Sequence, residues 1–96
     1  MTHFEKQIEN YINSKIEAMN HTIEFAEKQG LDKDYALWSI EGTWNSGGGA
    51  VSFTQIYAEL IDEETADKLR DRLTEAYFEA RNRVRESKVL KWRKEA

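Results

Sequence analysis

Apolar residues return at three- and four-residue steps over the first thirty positions: Phe4, Ile8, Ile12, Ile16 (or Lys15), Met19, Ile23 and Ala26. Glu5, Glu9, Glu17 and Glu24 keep the other faces polar. This is the period of an amphipathic helix and predicts one over residues 2 to 29. Thr2 and Glu5 have capping-box spacing at its start. Gly30 followed by Leu31 predicts a Schellman stop, with Leu31 folding back on Ala26.

Asp32 can cap a second, short helix running to about Glu41, with Gly42 ending it. Tyr35, Ala36, Leu37, Trp38 and Ile40 make it apolar on nearly every side, which predicts a segment in the middle of the packing. Next comes "EGTWNSGGGAVSFTQ". Ser52 and Gln55 form a second capping box, and Val51 and Ile56 occupy the staple positions, so another short helix is expected from Phe53, with Phe53, Ile56, Tyr57 and Leu60 inward. Asp62, Glu63 and Glu64 suit a new helix start through the amide dipoles. Ala66, Leu69, Leu73, Ala76 or Tyr77, Ala80 and Val84 then carry a stripe toward the end, predicting a final helix from about 63 to 94.

The expected fold is all-α: a small helical bundle with long first and last helices and short central ones. The competing pattern is period two. Trp38, Ile40, Gly42 and Trp44 alternate with polar residues, as do Val51, Phe53 and Tyr57, so residues 38 to 57 could instead form a β-hairpin in an α+β helix–hairpin–helix fold. The double capping signal favours helices.

Ninety-six residues allow one domain, 1–96, without walls for a deep substrate cavity. There is no cysteine, hence no disulfide framework or thiolate metal site, and no proline to break the helices. The start "MTHFEKQIEN" lacks a signal-peptide pattern, and no apolar stretch reaches membrane-spanning length. A soluble, cytoplasmic protein without membrane contact is expected. Residues 1 to 67 carry 13 acids and 4 bases, a balance of −9, while residues 68 to 96 carry 10 bases and 5 acids. The body is acidic and the tail, from about 81 to 96, is basic.

Candidate chemistry is sparse. No lysine follows the glycine run until Lys68, so it is no phosphate loop; it is expected to connect helices, with Trp44 pinning it to the end of the bundle. Glu17, His21 and Glu24 share a helix face but are too few ligands for a closed metal centre. No metal, cofactor or catalytic residue is assigned, and the protein is expected not to be an enzyme. Contact residues are a different matter. Asp62, Glu63, Glu64 and Asp67 form an acidic patch that could engage a basic groove. Trp44 and Asn45 are recognition material beside the glycines. Arg81 and Arg85 lead the basic tail, and Val89, Leu90 and Trp92 put apolar surface on it, which suggests a homodimer or another protein partner. Nucleic acid is the secondary expectation, because the acidic body repels phosphates.

Trp44-Asn45-Ser46-Gly47 is one residue too long for the W-x-G turn of secreted helical hairpins, and Tyr77 is followed four positions on by Arg81 where that family has an acid. The acidic body with "IDEETAD" and the compact helical pattern resemble small, cysteine-free accessory proteins of phages and prophages, among them anti-CRISPR and other host inhibitors. The resemblance is one of general profile. It implies an inhibitor that binds a host protein, such as a nucleic-acid-handling defence complex, rather than one that performs chemistry.

Overall fold

The computed structural model describes residues 3–45 and 62–95. Among them are three helices and no strand: α1 (His3–Gln29), α2 (Lys33–Asn45) and α3 (Glu63–Glu86), followed by a single 3-10 turn, Arg93–Glu95. The fold is an all-α helical bundle. Because α2 occupies residues 38–45 as helix, the first strand of the alternative hairpin does not form. The glycine run, the Ser52–Gln55 box with its staple, the helix expected from Phe53, the Thr2–Glu5 box and the side chain of Phe4 lie outside the described residues.

Local signals explain most of the boundaries. Gly30 adopts φ 68°, the left-handed conformation that glycine takes without strain, and Leu31 N–H donates to the Ala26 carbonyl at 2.9 Å. That bond closes the Schellman turn and brings Leu31 onto the core. Asp32 then caps α2 by accepting the Tyr35 N–H at 2.7 Å. Asp62 does the same for α3 with the Thr65 N–H at 2.8 Å, and its second oxygen accepts the Thr65 hydroxyl at 2.7 Å.

Two boundaries differ from the sequence pattern. Gly42 does not end α2, which continues to Asn45; with a helical φ and nothing within 4 Å of its missing Cβ, this glycine merely weakens the helix. The last helix stops at Glu86, not near residue 94. Ser87 leaves the helix with ψ 132°, and its hydroxyl accepts the N–H groups of Val89 and Leu90 at 3.2 and 3.1 Å. This local side-chain turn competes with helix and redirects the chain. The basic tail therefore does not project as a helix. It folds back, and Leu90 is only 1% exposed.

The core runs along one seam of each long helix. Ile8, Ile12, Lys15, Met19, Ile23 and Ala26 on α1, and Ala66, Leu69, Leu73, Tyr77, Ala80 and Val84 on α3, are spaced by threes and fours. Such spacing is the knob-and-hole arrangement of a helical bundle. On α2 the inward residues are Lys33, Ala36 and Ile40, with Leu37 and Trp44 half-buried. The α2 N-terminus meets the α3 C-terminus through Lys33 and Arg85, and Trp44 at its other end meets Lys15 and Tyr77. Glu27 faces Arg83 at 3.9 Å. Helix α2 thus runs antiparallel to both neighbours, and α1 and α3 run parallel.

Candidate interaction surface on helix α2

The residues singled out by sequence do not converge. Asp62 to Arg85 spans nearly the whole of α3, roughly 35 Å at the helical rise. Within the acidic group, Asp62 serves as the α3 cap. Glu64 pairs with Lys68 at 3.2 Å, and Asp67 with Arg70 at 3.7 Å. Glu63 is exposed in the first turn. Bases one turn along the same helix therefore offset much of the patch. The Asp62 carboxyl is held below the ordinary 3.8 by the Thr65 hydroxyl and then by the Thr65 N–H. Capping accounts for that shift.

Two clusters do form. At one end of α2, the Trp44 ring stacks on Tyr77 with centroids 4.5 Å apart and planes at 18°. Arg81 lies over Tyr77 at 5.4 Å and over Phe78 at 6.0 Å. Buried Lys15 donates to the Trp44 carbonyl at 3.2 Å. Trp44 is thus in the last turn of α2, packed against α3, with its indole Nε1 buried and without a hydrogen-bond partner among the described residues. Asn45 beside it is exposed.

At the other end, Lys33 is a junction. Its ammonium donates to the Arg85 carbonyl at 2.6 Å and sits 5.4 Å from the Trp92 ring centre, while its backbone N–H donates to the Lys91 carbonyl at 2.8 Å. Arg93 completes the clasp. Its N–H donates to Asp34 Oδ2 at 2.8 Å and its Nε to Asp32 Oδ2 at 3.3 Å. The Asp32 carboxyl is held below 3.8, chiefly by the Tyr35 N–H and further by Arg93. Arg85 contributes its carbonyl here and exposes its side chain, and Trp92 is half-buried against its own chain. Of the tail's three apolar residues, Val89 stays 61% exposed. It borders an open groove of about 640 Å³ shared with Glu27, Glu79, Asn82 and Arg83.

The surface that sequence reasoning missed is the outer face of α2. Trp38 is 72% exposed, not in the packing. Ala36 and Ile40, four apart, set the inward phase of α2, and Trp38 falls two residues from each, on the opposite side. That phase was visible in the sequence but hidden by the density of apolar residues around it. Tyr35 stands beside Trp38 with centroids 6.3 Å apart. One turn away on either side are exposed Asp34 and Glu41, and Asn45 continues the strip. Phe25 on α1 and Phe78 on α3 are each 52% exposed, less than Trp38, and Phe78 is already engaged by Tyr77 and Arg81.

Glu17, His21 and Glu24 are exposed on α1, and among the described residues no three metal-binding side chains come together. No described helix is long and apolar enough to cross a membrane. Comparison with family models, with curated proteins and with solved structures finds no match.

Proposed function

We propose that the protein is a non-enzymatic binding module that engages a protein partner through the outer face of α2. Within this proposal it acts as a phage-type inhibitor of a host protein, the role implied by its acidic, cysteine-free helical profile. One observation carries the binding proposal: a tryptophan with nearly three quarters of its surface in water, on a helix whose opposite face already supplies the core. Trp38 stabilises little within its own chain, and tryptophan is the residue type most enriched among interface anchors. Tyr35 enlarges the apolar surface, and Asp34, Glu41 and Asn45 give it a polar rim.

The basic tail fits a docking role less well. Leu90 is in the core, Trp92 packs near Lys33, and Arg93 is bonded to Asp32 and Asp34. Self-association through the tail would have Val89 and the exposed lysines 88 and 91 to work with.

Affinity-tagged wild type and Trp38→Ala, presented side by side to a bacterial lysate, test the proposal. Proteins retained by the wild type should be missing from the variant, whose melting temperature should stay within about 2 °C of wild type. Identical retained proteins would refute a binding role for this face.

A further inference from the structure

We infer that the partner seats a basic segment on α2, with an arginine or lysine side chain over the exposed Trp38 ring and its charge shared between Asp34 and Glu41. The inference rests on the binding role proposed for this face and adds the chemistry of what binds. Asp34 and Glu41 lie at i−4 and i+3 from Trp38, so the three residues form one continuous strip along the helix. All three are exposed. An indole face attracts cations through its quadrupole, and flanking carboxylates strengthen that preference. Asp34 and Glu41 are the charged residues within four positions of Trp38, and both are acidic, so the helix around the indole attracts a cation.

The protein already shows what this helix accepts. Its own tail, with Lys91, Arg93 and Lys94, is seated on the acidic N-terminal end of α2: Arg93 N–H donates to Asp34 Oδ2 at 2.8 Å and Arg93 Nε to Asp32 Oδ2 at 3.3 Å. Lys33 against the Trp92 ring shows the same pairing of ammonium and indole. Among the described residues the tail's hydrogen bonds to this helix are at Asp32, Lys33 and Asp34, its cap and first turn. Trp38 and Glu41 lie one and two turns further along the helix, both exposed. A basic segment from another protein would extend along the helix the contact that the tail begins.

Two synthetic helical peptides test this. They share one leucine pattern, with every polar position arginine in one and glutamate in the other. Each is titrated into the isotope-labelled full chain and followed by amide and indole N–H resonances. The arginine peptide should shift residues 34–45 and the Trp38 indole most strongly, with an affinity that falls as salt rises. Trp38→Ala should weaken it about tenfold, Trp38→Phe by less, and Glu41→Gln about threefold. Equal or tighter binding of the glutamate peptide at α2 would overturn the basic-partner inference while leaving α2 as a binding face. Absence of binding by both peptides, or shifts centred on Glu63 and Glu64, would also overturn it. Failure of the binding role itself is read separately, from unchanged capture by Trp38→Ala in the lysate comparison.

Discussion

The two ends of helix α2 are held by the same kind of contact used to different depth. Each end has a buried lysine whose ammonium donates to a carbonyl at a helix C-terminus: Lys15 to Trp44 on α2 at 3.2 Å, and Lys33 to Arg85 on α3 at 2.6 Å. A cation there bonds one of the last carbonyls of a helix and opposes the negative end of the macrodipole. Lys15 joins two helices, and its neighbours Trp44 and Tyr77 would still stack without it. Lys33 joins α2, the end of α3 and the returning tail, with Leu90 sealed close by. A charged residue at a core position is thus a shared end-cap at one site and a three-way junction at the other.

The largest expected effect tests whether the tail belongs to the fold. Leu90→Ala should destabilise by about 3 kcal/mol, since it empties a fully enclosed position, and chemical denaturation would show it. An exposed, projecting tail would give almost no change. The lysines come next. Lys33→Met should cost about 2 kcal/mol, because it leaves the Arg85 carbonyl without its donor in a part-buried site. Lys15→Met should cost less, about 1 kcal/mol or under, because methionine suits a seam position between Ile12 and Met19. Equal costs would remove the distinction between cap and junction. Gly30→Ala should lose about 1 kcal/mol through its positive φ, although no atom obstructs a Cβ.

The smallest effect is acidic. Asp32 has a folded pKa below 3.8, so near and below that pH the unfolded chain takes up its proton first. Stability therefore rises with pH across this window. The contribution is present above pH 3.8 and is lost as pH falls through the lowered folded value. Asp32→Asn should flatten part of that acid limb in melting curves recorded from pH 5 to pH 2. An unchanged slope would detach Asp32 from both the α2 cap and the clasp.

Much of this architecture was legible in the residues. The seams of α1 and α3, the Gly30–Leu31 stop and the caps at Asp32 and Asp62 follow from spacing and local hydrogen bonding, which a linear sequence carries. The tail's return was not legible, because although the Ser87 turn is local, the seating of the tail involves Lys33 and Asp34, more than fifty residues away. The orientation of Trp38 was obscured for another reason. On a short helix with five apolar residues in six positions, composition hides the phase that Ala36 and Ile40 define. The acidic patch had the reverse problem: its residues were conspicuous, but the bonds of Asp62, Glu64 and Asp67 to Thr65, Lys68 and Arg70 make them local supports of α3.

Helix α2 has an inner face committed to stability and an exposed outer face, and its two tryptophans report on one face each. Thermal and urea denaturation of Trp38→Ala and Trp44→Ala, measured together, tests this most directly. Trp44→Ala should lose about 2–3 kcal/mol, somewhat less than a fully enclosed aromatic, through the broken stack on Tyr77. Trp38→Ala should stay within about 0.5 kcal/mol of wild type, as expected for an exposed side chain. The opposite order, with Trp38→Ala strongly destabilised and Trp44→Ala unaffected, would place Trp38 in the core and contradict the account.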